Sequence, residues 1–239
     1  MDKIVNLFGD SHTYGNGLED CGLEKPWEQY SVNSWPYHVF PQAQIKNFSY
    51  PGCSNDTICL RLARHATKQN IVVIMFASPR RMHIVRNGYN FIVANDYNDA
   101  ISETGNENYV ARQIAIRDME KNKKFVIDNF DDNFLEIIYL KNILWCQYFC
   151  KSNKIDYYFT MNTNWDKRPA RQSLKKYRDS LYDQIDWEKI FLIDDKYGFR
   201  DYGKKINAEK GNDGSHFGLQ YHKLFGNLFL DWINNKKQV

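Results

Sequence analysis

The sequence predicts an α/β fold in which a mostly parallel β-sheet carries helices on both faces. Apolar runs that are too short for helices alternate with stretches whose apolar residues recur at helical spacing. Five such runs, each expected to form a strand, span residues 4–8, 45–49, 71–77, 155–159 and 190–193. Strands that alternate with helices are typical of parallel sheets, because the chain must cross a face of the sheet between parallel strands. No repeat, low-complexity tract or linker interrupts the 239 residues, so we expect a single domain over residues 1–239.

The first predicted strand ends at a turn made by Gly9, Asp10 and Ser11. Glycine has no Cβ, and the side chains of Asp and Ser bond nearby backbone amides, so all three residues favour a turn. The end of a first parallel strand is also where open α/β sheets bind their ligands. Alone, these residues therefore fit either a structural turn or part of a site. The polar loop that follows contains Gly15 and Gly17, and it could frame a substrate mouth or simply connect two elements.

Helix-capping and turn residues predict where the next helices begin. Ser34 can cap a helix that has Pro36 in its first turn, and Ser54 or Asn55 can cap a second helix. The strand predicted at 45–49 lies between these helices, and the strand at 71–77 is the clearest buried strand of the chain.

Residues 83–124 depart from the alternation of strands and helices. Segments 84–86 and 89–93, separated by Asn87 and Gly88, predict a β-hairpin. We interpret 83–124 as an insertion on the face formed by the carboxyl ends of the strands. Its role as a lid, a specificity loop or an oligomer contact is left open by the sequence.

The second half of the chain returns to the α/β pattern. A long helix is expected from Asp131 or Asp132 to about Cys150, and a helical stretch at 174–181 lies between the last two strands. Residues 197–212 are predicted to be irregular. The last helix begins near Gly218, carries an apolar stripe that packs on the sheet, and includes His222, which we interpret as structural.

Asp213 and His216 lie three residues apart on the turn before the last helix. At that spacing the carboxylate can fold back onto the imidazole. A serine nucleophile needs a base within hydrogen-bond reach, and the base needs a third group that fixes its tautomer. Ser11, His216 and Asp213 could supply these three parts. Although they are far apart in sequence, the segments that follow parallel strands lie at the same edge of the sheet.

The Gly-Asp-Ser at 9–11, followed by Thr13 and Gly15, and the Asp-x-x-His at 213–216 resemble the first and last blocks of the SGNH (GDSL-like) hydrolase family. The resemblance spans the whole chain. It implies a flavodoxin-like three-layer α/β/α sandwich, with a mostly parallel five-stranded sheet in the order 2-1-3-4-5. It further implies that Ser11 is the nucleophile, His216 the base and Asp213 its partner, with no metal or organic cofactor.

The resemblance also implies an oxyanion hole. The backbone N–H groups of Ser11 and Gly52 would meet the oxyanion, and the family's third block normally adds an asparagine after the third strand. This chain has Ser78 at that point. The Ser78 hydroxyl could donate one hydrogen bond, Arg80 or Arg81 could approach the developing charge, or both arginines could face water.

Other polar residues fall near the same edge of the sheet. Asn162 and Asn164 follow the fourth predicted strand, where they could contact substrate or only cap the strand. The candidate substrate contacts are Asp10, His12, Arg80, Arg81, Asn162 and Asn164.

Composition narrows the class of protein. A net charge of +3 without a dense Lys/Arg stripe argues against a nucleic-acid partner. The five cysteines lack paired short spacings and accompanying histidines, so we expect neither a disulfide framework nor a zinc site. We also expect no signal peptide and no membrane span, since no apolar run approaches about 20 residues. A cytoplasmic or virion-associated, soluble protein is therefore predicted, and its oligomeric state is left open.

The leading hypothesis is a serine esterase or acyl hydrolase that cleaves a short acyl ester. An O-acetyl group on a carbohydrate is the preferred substrate, because the expected mouth is polar and aromatic. The alternative is a noncatalytic binding or structural module with the SGNH fold, which the missing asparagine favours. A phosphoester enzyme would need metal ligands or a basic groove, and neither is visible in the sequence.

Overall fold

The computed structural model describes residues 4–21, 29–79, 81–86, 89–94, 132–164 and 172–236. The strands are β1 (Ile4–Phe8), β2 (Gln44–Asn47), β3 (Asn70–Phe76), β4 (Arg81–Arg86), β5 (Tyr89–Ala94), β6 (Asp156–Met161) and β7 (Ile190–Phe191). The helices are α1 (Ser11–Tyr14), α2 (Trp35–Val39), α3 (Asn55–His65), α4 (Asp132–Ser152), α5 (Gln172–Gln184), α6 (Phe199–Lys205) and α7 (Leu219–Lys236). Short 3₁₀ turns lie at Glu19–Cys21 and Trp187–Lys189.

The main sheet has five parallel strands in the order β2-β1-β3-β6-β7. These are the five predicted strands, and counted among themselves they follow the order 2-1-3-4-5. In the centre of the sheet Leu7 is in register with Val73, and Val73 with Tyr158. The predicted flavodoxin-like sheet is therefore confirmed, and it brings the carboxyl ends of β1, β2, β3 and β6 to one edge.

The β3 strand shows why the fold has three layers. Val72, Ile74 and Phe76 point into one apolar cluster, which also contains side chains of α3 and α4. Val73 and Met75 point into a second cluster with side chains of α2 and α7. A strand buried on both faces reads as a continuous apolar run, because successive side chains point to opposite sides.

The predicted hairpin is confirmed as well. β4 and β5 pair antiparallel, with Arg86 opposite Tyr89, as a two-residue connection requires. The remainder of the 83–124 insertion lies outside the described residues, as do Arg80 and the alternative helix start at Asp131.

Two local predictions need correction. Residues 199–205, expected to be irregular, form α6. Four of its seven residues are charged, so the sequence shows no apolar helical pattern there. Ser34 precedes α2, but its hydroxyl donates to the Ser31 carbonyl at 3.1 Å and caps no helix N–H. Ser54 does cap α3, since its hydroxyl accepts from the Thr57 N–H at 3.3 Å.

All five cysteines are buried free thiols. Cys146 and Cys150 are residues of α4 whose side chains point into the core, as their shared helical face predicts. Burial raises the pKa of the Cys53 thiol to about 12, so this sulfur stays protonated at neutral pH. Within the described ranges, every helix is too short or too polar to traverse a lipid bilayer.

The contact between α2 and α7 depends on Gly226. A Cβ at this position would lie 2.7 Å from both the Trp35 carbonyl oxygen and the His38 Cβ. We expect Gly226→Ala to lower the free energy of unfolding by about 1–3 kcal/mol through overpacking, although alanine favours a helix by about 1 kcal/mol. Urea denaturation measures the change, with Asn227→Ala, at the exposed next position, as the control. A Gly226→Ala protein as stable as wild type would contradict the close packing.

His222 makes stability depend on pH. The ring is fully buried, and its Nδ1 accepts from the Trp35 N–H at 3.1 Å. Burial, helped by the nearby His216 and His38, lowers the pKa of His222 to about 3 from 6.5. Below pH 6.5 the unfolded chain takes up a proton that the folded chain refuses, so acidification destabilises the fold down to about pH 3.

The corresponding test is His222→Asn, which keeps an acceptor but removes the titration. We expect its unfolding free energy to fall less steeply than that of wild type, by about 1.4 kcal/mol per pH unit between pH 6 and 4. Urea denaturation across this range measures the slopes, with His65→Asn on the surface as control. Parallel slopes for wild type and His222→Asn would show that the unfolded-state proton lies elsewhere.

Candidate active site

Ser11 is held at the end of β1 by the capped start of α1. Asp10 occupies the N-cap position, and its Oδ1 accepts from the His12 N–H at 3.1 Å. Ser11 is therefore the first residue of the helix and lies at the sheet edge where the carboxyl ends of the strands converge.

A continuous hydrogen-bonded chain joins Ser11, His216 and Asp213. The Ser11 Oγ lies 2.9 Å from the His216 Nε2, and the His216 Nδ1 lies 2.5 Å from the Asp213 Oδ2. A carboxylate beside Nδ1 favours the tautomer with its proton on Nδ1, which leaves Nε2 to accept from the Ser11 hydroxyl. The structure thus brings together the three side chains that the sequence singled out, while their catalytic role stays a prediction.

Asp213 is built to remain ionised. Its Oδ1 accepts from the backbone N–H groups of Ser215 at 3.0 Å and His216 at 2.9 Å, while its Oδ2 faces the His216 ring. Partial burial alone would raise the pKa of the Asp213 carboxyl, but these bonds hold the pKa well below its ordinary value. The charged carboxylate can therefore orient the ring and stabilise an imidazolium.

Gly17 lets the loop after α1 approach the Asp213 turn. The Asn212 N–H donates to the Gly17 carbonyl at 2.8 Å. Gly17 has φ +84°, and a Cβ there would lie 2.8 Å from the Asp213 Oδ1 and 3.0 Å from the His216 Cβ. The sequence showed this residue only as one glycine of a polar loop, because the partner turn lies almost 200 residues away.

Asp10 is a fully buried carboxylate with partners on three segments. Its Oδ2 lies 3.1 Å from an Arg81 guanidinium nitrogen and accepts from the Asn162 side-chain amide at 2.8 Å. Three of the predicted substrate contacts thus bond one another. Asp10 and Asn162 are used inside the fold, whereas the Arg81 side chain keeps 12% of its surface exposed.

His12 packs beside the His216 ring. Their ring centroids are 5.1 Å apart, and the Phe199 and Phe217 rings lie 5.0 Å and 6.0 Å from His12. Burial, reinforced by the neighbouring His216, holds the pKa of His12 well below its ordinary value. A neutral His12 therefore adds no second positive charge next to His216.

Asn164 connects the end of β6 to the segment around α6. Its backbone N–H donates to the Asp201 carboxylate, and its side-chain amide donates to the Lys196 carbonyl, both at 2.6 Å. These bonds serve the fold, and a contact between Asn164 and substrate stays a prediction.

Besides Ser11, the predicted oxyanion donors Gly52 and Ser78 follow the two strands that flank β1. Gly52 follows β2 in a turn that the Tyr50 N–H ties to the Gly9 carbonyl at 3.1 Å. Ser78 is buried just past β3, where its carbonyl accepts from the Arg81 N–H at 3.0 Å. Both residues share the sheet edge with Ser11, and their part in binding an oxyanion stays a prediction.

The described part of the chain contains no cluster of three or more His, Cys, Asp or Glu side chains placed to hold a metal ion. The chemistry that the described residues offer at this edge is proton transfer and hydrogen bonding.

Gly17 gives a test of the site geometry. We expect Gly17→Ala to displace the Asp213–His216 turn and to abolish the deshielded Nδ1 proton resonance of His216 in proton NMR spectra. Gly214→Ala is the matched control, since Gly214 lies on the same turn with φ +69°, but a Cβ there would meet no atom of the described residues within 4 Å. Both variants carry the strain of a positive φ, and only Gly17→Ala adds the collision. Retention of the resonance in Gly17→Ala would contradict the close approach.

Comparison with known proteins concerns the fold of the chain. No model of a protein family matches the sequence, and no curated protein matches it. Among solved structures, the chain is similar to a carbohydrate esterase family 2 enzyme with a carbohydrate-binding domain from Corynascus thermopiles (Myceliophthora fergusii). The two are 13% identical over 100% of this chain and 68% of that chain, with a TM-score of 0.52.

A second carbohydrate esterase, whose active site is described as having divergent catalytic and non-catalytic binding functions, is 12% identical. The match covers 97% of this chain and 68% of that chain, with a TM-score of 0.50. A lipase from a goat rumen metagenome, Lip_vut3, is 14% identical over 96% of this chain and 97% of that chain, with a TM-score of 0.48. The structural neighbours are lipases, esterases and carbohydrate esterases, and at these identities the likeness concerns the fold. The chain has the fold of the SGNH hydrolases.

Proposed function

We propose that this protein is a serine esterase or acyl hydrolase that cleaves short acyl esters. The observation that carries the proposal is the hydrogen-bonded chain from Ser11 through His216 to Asp213, with distances of 2.9 Å and 2.5 Å. These are the nucleophile, the base and the orienting carboxylate that acyl transfer requires.

The proposed reaction has two halves. The Ser11 Oγ attacks the ester carbonyl as its proton passes to the His216 Nε2, and the carbonyl oxygen becomes an oxyanion. Collapse of this intermediate expels the alcohol, which takes the proton from Nε2 and leaves an acyl-serine. Water, deprotonated by His216, then attacks the acyl-serine, and the acid leaves as Ser11 regains its proton.

The proposed oxyanion hole uses the backbone N–H groups of Ser11 and Gly52, with the Ser78 hydroxyl as a third donor. Loss of one donor in such a hole costs about 10²–10³ in kcat, because it acts on charge that develops in the transition state. No metal or organic cofactor takes part in this scheme.

An O-acetyl group on a carbohydrate is the proposed substrate. Tyr50 is 41% exposed beside the Gly52 turn, and the rings of Tyr14 and Tyr30 extend an aromatic cluster from it. Aromatic rings with polar tips suit a ligand that presents both apolar faces and hydroxyl groups. Two of the structural neighbours are themselves carbohydrate esterases, which agrees with this choice.

The second candidate function is a noncatalytic binding or structural module. The replacement of the third-block asparagine by Ser78 favours it, because a weakened oxyanion hole lowers the expected rate. The Ser11–His216–Asp213 chain favours the enzyme, since a binding module has no need for a base on a serine.

A serine-directed probe separates the two candidates. We expect a fluorophosphonate to label wild type and Ser180→Ala, at an exposed serine of α5, but not Ser11→Ala. Hydrolysis of p-nitrophenyl acetate should fall by about 10³-fold or more in Ser11→Ala. A panel of p-nitrophenyl esters and acetylated sugars then tests the preference for short acyl groups. Absence of both labelling and hydrolysis in wild type would reject the esterase in favour of the module.

A further inference from the structure

Arg81 lies after β3, close to the point where the SGNH resemblance places the oxyanion asparagine. The Arg81 N–H donates to the Ser78 carbonyl at 3.0 Å, so the chain turns back immediately after the strand. This turn directs the Arg81 side chain towards Asp10, whose Oδ2 lies 3.1 Å from the guanidinium. The reaction proposed above gives this buried cation no role.

The pair with Asp10 fixes the position of the guanidinium and leaves some of its N–H donors for another acceptor. A guanidinium is planar and carries five N–H donors, and among the described residues its side chain meets a single carboxylate oxygen. That oxygen also accepts from the Asn162 side-chain amide at 2.8 Å, which adds a second fixed contact to the carboxylate. Asp10 therefore serves as a rigid support that orients Arg81.

Arg81 is bound to the residue before Ser11, and its charge also acts on the segment around Gly52. Asp10 immediately precedes Ser11, and the Arg81 charge acts on His12 and on Cys53, the residues that follow Ser11 and Gly52. Burial is the larger influence in both groups: it lowers the pKa of His12, where the guanidinium acts in the same direction, and raises the pKa of Cys53, where the guanidinium opposes it. The cation thus lies within electrostatic reach of both sides of the hole.

The positive charge of Arg81 balances the negative charge of Asp10. A buried carboxylate at position 10 would oppose a negative charge that develops beside Ser11, because electrostatic interactions are strong in a dry site. Arg81 cancels that charge and leaves N–H donors for another acceptor. A charged donor gains more than a neutral amide as the carbonyl oxygen becomes an anion, so its contribution grows in the transition state.

We propose that the Arg81 guanidinium, oriented by Asp10, is a donor to the oxyanion in place of the third-block asparagine. The inference rests on the esterase function proposed above. It assigns the cation to the transition state and not to an anionic group of the substrate.

The test compares kcat and KM on two esters, neutral p-nitrophenyl acetate and the anionic 4-acetoxybenzoate. We expect Arg81→Gln to lower kcat by about 10²-fold on both esters while KM changes little, since the interaction forms in the transition state. Arg81→Lys should recover only part of the loss, because its ammonium is a point charge without the planar fork. A loss confined to KM for 4-acetoxybenzoate would overturn the proposal and identify a substrate-binding arginine. An unchanged kcat in Arg81→Gln would overturn it outright.

Arg178→Gln is the matched control for the loss of a buried cation. Its side chain is 14% exposed and lies 4.0 Å from the Glu136 carboxylate, in the helical layer formed by α4 and α5. This variant should lose stability in urea denaturation without loss of kcat. An equal loss of kcat per folded protein in Arg178→Gln and Arg81→Gln would also reject the proposal.

Chemical rescue separates a donor from a structural residue. Methylguanidinium at millimolar concentration should raise the kcat of Arg81→Gly at least fivefold and should leave Ser11→Ala inactive. No rescue, with Arg81→Gly folded by circular dichroism, would count against the donor role. Should Arg81→Gly not fold, the kcat of Arg81→Lys decides, and a wild-type value overturns the proposal.

The two proposals fail in different ways. A wild-type protein that neither hydrolyses esters nor reacts with fluorophosphonate removes the esterase function and this inference with it. A wild-type protein that hydrolyses both esters, with Arg81→Gln equally fast, removes the inference alone.

Discussion

The buried carboxylate of Asp10 is the constraint on which this sheet edge depends. An ionised group withdrawn from water is costly unless it is paired and hydrogen-bonded. Asp10 meets that condition with an N–H of α1, a guanidinium at the start of β4 and an amide at the end of β6. The last two partners lie 71 and 152 residues further along the chain, so the carboxylate joins the end of β1 to the start of β4 and the end of β6. Because Ser11 is the next residue, these contacts also fix its position.

His216 and Asp213 reach Ser11 from the far end of the chain. His216 is 205 residues from Ser11 in sequence, and a contact of that separation forms only when the intervening structure already exists. Phe217 packs on Gly203 of α6, and the apolar face of α7 fixes the following helix to the sheet. The Asp213–His216 turn is thus held between the core and the Gly17 loop. The packing that stabilises the core therefore also holds His216 against Ser11.

The sequence revealed the features that are encoded locally. The central strands β1 and β3 were visible because a run buried on both faces is apolar over almost its whole length. The Asp213–His216 turn was visible because its partners are three residues apart. Strand ends shifted by a few residues, as at β2, since hydrogen bonding between strands and not hydrophobicity decides where pairing stops. The α6 helix was missed because Phe199 and Gly203 are its only buried residues. The Asp10 pairs and the Gly17 approach were invisible because each depends on tertiary proximity between distant segments.

Proton chemistry at the site follows from which imidazoles are kept neutral. His12 lies 5.1 Å from His216, and burial lowers the pKa of His12 and of His222 well below the ordinary value. Neither of these rings competes with His216 for a proton near neutral pH. Asp10 is already engaged by donors on both of its oxygens, so the carboxylate that faces the His216 ring is Asp213. Burial and pairing together therefore leave Ser11 on one side of the His216 ring and Asp213 on the other, and the proposed nucleophilic role of Ser11 rests on this arrangement.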